Sequence, residues 1–225
     1  MTEQKITVII PALNEEETIS KVIVGVKKHV DEIILVDDAS TDRTAIIARR
    51  EGAVILSHNK NQGYDKSIDD GFVLAAKRGA IILCTFDADG QHDPEDIPKI
   101  IKPILNGAAD VVIGKRPRHG RIAEYIFAFI AKIEADIEDP LCGLKAYHID
   151  VYKDIGYFDR ISSIGTQLMF NAKRKGYRVV QKEIALSKRG GFSRFGKRIK
   201  GNWEILKAIF KTLYWEIKTQ KGEKW

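Results

Sequence analysis

The sequence predicts an α/β domain built on a mostly parallel sheet with helices on both faces. Three observations lead there. Short apolar, β-branched runs alternate along the chain with segments of helical periodicity. The strand, helix, strand order is that of βαβ units. Runs such as Ile33–Val36 and Ile81–Leu83 are apolar at every position, as a strand covered on both faces requires.

The elements run in order. "KITVIIP" is the first strand. "TISKVIVGVKKHV" is a helix with Ile19, Val22, Ile23, Val26 and Val30 on one stripe. "EIILVDD" is the second strand, and Ser40, Thr41 and Asp42 offer caps for a helix running to Arg50. "AVILS" is a third strand, and residues 66–77 form a helix. "AIILCTF" is the fourth strand. Asp93 caps the helix of "DPEDIPKIIKPIL", with Pro94 in its first turn and Ile97, Ile100, Ile101, Ile104 and Leu105 as its stripe. "DVVIG" is the fifth strand. Beyond it come an unusually apolar helix, "RIAEYIFAFIAKI", and a glycine-bearing loop, "DPLCGLKAY". A helix in "IGTQLMFNAKRKGY", a strand-like "RVVQKEIAL", a basic glycine-rich loop, "SKRGGFSRFGKR", and a last amphipathic helix, "NWEILKAIFKTLYWEIK", complete the chain.

The 225 residues are 44% hydrophobic and 30% charged, in the range of a single soluble globular domain. The two cysteines, Cys84 and Cys142, lack CxxC spacing, which argues against a zinc site or disulfide framework and for a reducing compartment. The start, "MTEQKITVIIPALNEEE", turns acidic too soon for a signal peptide. No uninterrupted apolar run approaches the ~20 residues of a membrane span. The net charge of +6 is concentrated late: Lys173 to Lys211 carries thirteen Lys/Arg against two acids. Such a region either meets an anion, whether phosphate, lipid surface or nucleic acid, or is a solvated basic face.

In open α/β sheets ligands sit at the carboxyl ends of strands. Two acidic clusters fall there: Asp37–Asp38 after the second strand, and Asp87 with Asp89 after the fourth. An Asp-x-Asp suits Mg²⁺ or Mn²⁺, hard cations that take carboxylate oxygens and bridge to substrate phosphates. Gln91 adds a neutral oxygen. The plain alternative, helix capping and loop solvation, fits an isolated Asp-x-Asp better than it fits this pairing with basic loops.

"VIIPALNEEETI", "ILVDDASTDRT", "FDADGQHDPEDIP", "VVIGKR" and "DPLCGLKAY" stand in the order and spacing of the family 2 glycosyltransferases. The chain most resembles their branch of dolichol-phosphate mannosyltransferases and related polyprenyl-phosphate hexosyltransferases, over about residues 5–196. The resemblance implies a GT-A fold over residues 1–196, followed by a C-terminal amphipathic helix in 197–225. It implies a nucleotide-sugar donor, Mg²⁺ or Mn²⁺, inversion at the anomeric carbon and a polyprenyl or dolichyl phosphate acceptor. GDP-mannose is the favoured donor and UDP-glucose the alternative.

Matched residue by residue, Pro11, Leu13 and Glu15 of "PALNE" would line base and ribose, with Val36 and Asp38 completing that pocket. Asp87, Ala88, Asp89 and Gln91 match the metal and diphosphate motif. Arg116 matches an arginine that faces the diphosphate. Lys188, Arg189, Ser193 and Arg194 match the basic loop that holds the acceptor phosphate. The catalytic set implied is Asp89, Arg116 and Arg189.

The sequence departs from the resemblance at Leu13, where an aromatic is common, at Gln167, where Glu is usual, and at Cys142, where Ser or Thr is usual. Asp65, Asp69 and Asp70 make the loop after Asn61 more acidic than in relatives. His92 reads as a capping or supporting residue, and His58, His119 and His148 as surface residues. Trp203, Trp215 and Trp225 fit packing or an interfacial helix, and "RIAEYIFAFIAKI" fits a core helix or a membrane-surface one. The expected setting is therefore the cytoplasmic face of a membrane, bound peripherally, with a small membrane-protein partner as one way to replace an anchor. A sugar-hydroxyl acceptor is the alternative within the enzyme class. A non-enzymatic nucleic-acid binder is the alternative outside it; it leaves the acidic strand ends unexplained, and nucleic acid is not an expected partner.

Overall fold

The computed structural model describes residues 4–117, 121–186 and 198–220. One seven-stranded sheet runs β3-β2-β1-β4-β6-β5-β7. Its strands are β1 (Ile6–Ala12), β2 (Glu32–Asp37), β3 (Val54–Ser57), β4 (Ile82–Thr85), β5 (Val111–Lys115), β6 (Lys145–His148) and β7 (Val179–Glu183). Every pairing is parallel except the two made by β6, which lies antiparallel between β4 and β5.

The five strands expected before residue 115 are all present, and β7 lies in the strand-like "RVVQKEIAL". β6 is a correction, because "LKAY" reads as part of a loop. Its strand character comes from position: Ala146 is paired with Cys84 on one side and Val112 on the other. A four-residue segment takes its conformation from such neighbours more than from its own propensity. The helix α6 (Ile149–Ile155) is a second element that the sequence pattern does not announce.

Helices α1 (Ile19–Val26), α2 (Thr44–Arg50), α3 (Tyr64–Lys77) and α4 (Ile97–Leu105) connect the parallel strands. α1 buries Ile19, Val22, Ile23 and Val26, and ends before Val30. α4 buries Ile97, Ile100, Ile101 and Ile104, while Leu105, expected on the same stripe, is exposed. Asp93 does cap, but it caps a single 3-10 turn, Pro94–Asp96, taking the Glu95 N–H at 3.0 Å. α3 lies close on the sheet because residue 71 is glycine: a Cβ there would stand 2.4 Å from Ile9 Cγ2.

The remaining helices are α5 (Ile122–Ala135), α7 (Gln167–Arg174) and α8 (Arg198–Gln220). α5 and α8 pack together. α5 buries Ala123, Phe127, Ala131 and Ala135, and α8 buries Ile205, Ala208, Ile209 and Trp215. Among the described residues no helix is long and apolar enough to cross a membrane.

The strand order places the site. The connections lead from β1 outward to β2 and β3, then return across β1 to β4. Between β1 and β4 the connections therefore diverge to opposite sides, and a crevice opens beyond the carboxyl ends of those strands.

Candidate active site

A cleft of about 320 Å³ lies at that switch point. The end of β1 and the residues after it give it Pro11, Ala12, Leu13 and Glu15; the residue after β2 gives Asp38; the turn after β4 gives Asp87, Ala88 and Asp89. Sequence reasoning does not assign the rest of the wall, which is Asn61, Gly63, Tyr64 and Ser67 around the start of α3, Leu141, Cys142 and Gly143 before β6, and Ile164. Two of these stretches carry a signal: the "NQG" loop, through the glycine that supplies a φ of 89° at Gly63, and "DPLCGLKAY", through its part in the family resemblance.

The loops are tied by their side chains. Asn14 accepts the Thr41 N–H at 2.8 Å and gives its own N–H to Ser40 Oγ at 3.0 Å. Thr44 Oγ1 accepts the Glu15 N–H at 2.7 Å and donates to Asp42 Oδ1 at 2.6 Å. Burial pushes the Asp42 carboxyl up, but the Thr44 hydroxyl and the surrounding backbone N–H groups outweigh it and hold the group below its ordinary value. Thr18 Oγ1 donates to the Ala88 carbonyl at 2.7 Å, which joins the β1 loop to the Asp-x-Asp turn.

Asp38 is buried, and the protein itself uses both of its oxygens. Oδ1 accepts the Gln62 N–H at 2.7 Å, and Oδ2 accepts the Gly63 N–H at 2.8 Å. The His58 ring lies between two carboxylates, with Nδ1 2.8 Å from Asp38 and Nε2 3.2 Å from Asp70. His58 is expected on the surface from the sequence; this pairing draws its side chain inside. Val36 does not line the cleft. It lies fully buried in β2, facing Gly71 of α3.

Asp87 and Asp89 are half-buried and face the cleft. Asp89 Oδ1 accepts the Gln91 N–H at 3.0 Å, and Gln91 itself does not line the cleft. His92 stands behind the pair, with Nε2 3.2 Å from Asp87 Oδ2 and its ring edge-on to Phe86. Burial raises the Asp87 carboxyl, but the His92 hydrogen bond and the charges of His92, Arg116 and Lys145 prevail, so it stays below its ordinary range. The carboxylate also needs a bare backbone beside it: a Cβ on Gly143 would lie 2.0 Å from Asp87 Oδ2.

Arg116 is held by carboxylates beside the cleft. It does not line the cleft. Its guanidinium forks onto Asp139 through Nε and Nη2, both at 2.7 Å, and the same Nη2 lies 3.1 Å from Glu124. Two buried carboxylates hold a planar, bidentate cation more firmly than an open cleft would. Its charge still reaches Asp87. Lys188, Arg189, Ser193 and Arg194 lie outside the described residues, as do His119 and Trp225.

The residues present fit a divalent cation. Asp87 and Asp89 bring hard carboxylate oxygens to one side of one cleft. Among the described residues no three His, Cys, Asp or Glu side chains close around one point. The pair would thus supply part of a coordination shell that a diphosphate and water complete, which is how Mg²⁺ is commonly held beside a phosphate substrate.

Residues 7–127 match the family model described as "Glycosyl transferase family 2". The UDP-N-acetylglucosamine–dolichyl-phosphate N-acetylglucosaminyltransferase of Methanococcus voltae is 37% identical over 134 residues, 52% of this chain and 53% of that protein. The dolichol-phosphate mannosyltransferase of Pyrococcus furiosus is 27% identical over 238 residues, 94% of this chain and 64% of that protein. Among solved structures, glucosyl-3-phosphoglycerate synthase from Mycobacterium tuberculosis, in complex with Mn²⁺, UDP and glucosyl-3-phosphoglycerate, superposes with a TM-score of 0.72. That match has 21% sequence identity and covers 92% of this chain and 80% of that one. The mostly parallel seven-stranded sheet is a GT-A fold. The chain belongs to glycosyl transferase family 2 and is a glycosyltransferase.

Proposed function

We propose that the protein is a metal-dependent, inverting hexosyltransferase that moves a hexose from a nucleotide-sugar to polyprenyl or dolichyl phosphate at a membrane surface. The observation that carries this reading is the placement of Asp87 and Asp89 in the switch-point cleft together with Pro11, Leu13 and Glu15. Leu13 and Glu15 would flank the nucleoside, and Asp38, through the Gln62 and Gly63 amides, would hold the loop beside it. Asp87, Asp89 and the neighbouring Gln91 would hold Mg²⁺ or Mn²⁺, whose positive charge stabilises the departing diphosphate.

In the reaction the bond from the anomeric carbon to the diphosphate oxygen breaks, and its electron pair leaves with the nucleoside diphosphate. A new bond forms from the opposite face to an acceptor phosphate oxygen. That oxygen is already ionised at neutral pH, so orientation matters more than proton removal. Arg116 would act through the field it adds at Asp87 rather than by contact. Arg189, with Lys188, Ser193 and Arg194, would seat the acceptor phosphate.

Gln167, the departure that leaves a sugar-hydroxyl acceptor open, does not line the cleft. It is buried, and its Oε1 accepts the Arg160 N–H at 2.7 Å. Its neutral amide therefore suits a structural role. Relatives named for dolichyl phosphate support the acceptor class, and they differ in sugar. Mannose from GDP-mannose is the donor proposed, with UDP-sugars as the alternative.

The membrane part of the reading draws on α5 and α8. Ile122 (75% exposed), Phe129 (68%) and Ile133 (66%) turn outward from α5, and Trp203 (60%) and Phe210 (70%) from α8. Lys207 lies near the Trp203 ring and Lys218 near Tyr214. An apolar face edged by aromatics and lysines fits an anionic bilayer, on the cytoplasmic side in this proposal. A small membrane protein would be a second route to the same place.

The test is transfer of radiolabel from GDP-mannose, UDP-glucose and UDP-N-acetylglucosamine to dolichyl phosphate in anionic vesicles, with Mn²⁺ or EDTA. The expected product is an acid-labile lipid phosphate formed only with metal. Label appearing instead in a glycan hydroxyl, or transfer undiminished by EDTA, would overturn the reading.

A further inference from the structure

Among the described residues, Ile164 is the one cleft residue contributed by the long segment between α6 and α7. Its backbone is unusual. Ser162 and Ile164 hold φ of 57° and 59°, and Gly165 follows at 68°. Left-handed backbone is unfavourable for a β-branched side chain, and it persists only where the surroundings over-determine it.

Here they do. Asp159 takes the N–H groups of Ile161, Ser163 and Thr166 and the Ser163 hydroxyl. Lys145, fully enclosed in β6, donates to the Gly165 carbonyl at 2.7 Å. Asp65, from the first turn of α3, accepts the Ile164 N–H at 3.3 Å, and the Gly165 amide adds to its stabilisation. Ile164 and Asp65 are 99 residues apart in the chain. Two elements, β6 and α3, thus join Asp159 of the segment itself on one short turn.

We propose that Asp65 is a positioning residue for the donor cleft: from α3 it fixes the left-handed turn at 162–165, and so sets where Ile164 stands in the cleft wall. This inference rests on reading the cleft as a nucleotide-sugar site.

Two features mark Asp65 as more than a packing residue. Its Oδ1 is buried with no hydrogen-bond partner among the described residues. Burial and the facing Asp159 carboxylate raise its pKa to about 7, against the backbone amides and the Lys145 charge. A folded-state pKa above the unfolded one means stability is lost as pH rises from the ordinary carboxylate range toward 7. Ionised Asp65 is thus a cost to the fold at pH 8, and it is retained next to the cleft. A residue kept for stability alone would behave in the opposite way.

The experiment compares wild type and Asp65→Asn by hydrogen exchange at residues 161–166, thermal melting at pH 8, and calorimetric binding of UDP and GDP with Mn²⁺. Because a neutral amide oxygen accepts more weakly than a carboxylate, the variant should exchange faster at Ile164 and Gly165 only, melt no lower than wild type, and bind nucleotide about three- to tenfold more weakly. Unchanged exchange at those amides, a general loss of protection with a lowered melting temperature, or unchanged nucleotide affinity would each overturn the proposal. If Asp65→Asn fails to fold, Ile164→Gly relieves the backbone and empties that part of the wall. It should fold and bind nucleotide more weakly; wild-type binding would overturn the proposal. Failure of wild type to bind either nucleotide would instead defeat the donor reading, while the exchange data would still report on the turn.

Discussion

Two pairs of aspartates stand at the carboxyl edge of one sheet, and they do different work. Asp37 and Asp38, at the end of β2, are buried, and their oxygens accept backbone N–H groups from Ser40, Gln62 and Gly63. Asp87 and Asp89, after β4, are half-buried, and both face the cleft. In the sequence the two look alike: an apolar strand ending in two acids. The difference lies in the spatial neighbours of each strand end. β2 is adjoined by the loop leaving β3, whose amides fold over Asp38; β4 is adjoined by β1 and by Gly143, which leave Asp87 open. Asp38 borders the same cleft, but its oxygens serve the loop after β3, whereas the Asp87–Asp89 turn is not covered by that loop.

Four substitutions probe this contrast, taken in falling order of effect. Asp89→Ala should abolish metal-dependent transfer, by about a thousandfold or more, while the melting temperature moves by no more than about 2 °C. Steady-state transfer assays and thermal melts check both halves. Gly143→Ala should come next, at about a hundredfold, because its Cβ would fall 2.0 Å from Asp87 Oδ2 and displace the carboxylate. A crystal structure of that variant should show Asp87 rotated away with the Asp38 loop undisturbed.

Asp38→Ala should act on the fold instead. It strands two buried amides and the His58 ring, and urea unfolding should show a loss of about 2–4 kcal/mol. A variant as stable as wild type would erase the distinction between the pairs. The smallest effect belongs to Thr44→Val, at about 1 kcal/mol near neutral pH, since it removes the hydroxyl that serves Asp42 and Glu15. The folded pKa of Asp42 is depressed below 3.8, so its contribution is present above the ordinary carboxylate range and fades as pH falls through the folded value. The gap between wild type and Thr44→Val should therefore narrow in urea melts at pH about 3.

The contrast also shows what a sequence can and cannot disclose. β1 through β5 are legible because each is an apolar run long enough to be self-evident. The Asp-x-Asp turn and the Pro11–Glu15 segment are legible because each comes directly after its strand. β6 is not, because its four residues carry a lysine and a histidine and become a strand only between two partners. The partners of Arg116 are hidden for a related reason. Asp139 and Glu124 lie 23 and 8 positions away, and only the folded chain brings both to the same guanidinium. His58 owes its burial to Asp38 and Asp70 together, and neither alone announces it. Ile164 and Asp65 meet across 99 residues through a turn whose left-handed backbone no local residue pattern signals.

The functional reading stands or falls on whether the Asp87–Asp89 pair, unlike Asp37–Asp38, binds a nucleoside diphosphate through a divalent ion. Calorimetric titration of wild type and Asp89→Ala with UDP and GDP, in Mn²⁺ and in EDTA, decides the matter. Wild type should bind one nucleotide in Mn²⁺, with no binding in EDTA or to Asp89→Ala. Equal binding under all three conditions would contradict the reading.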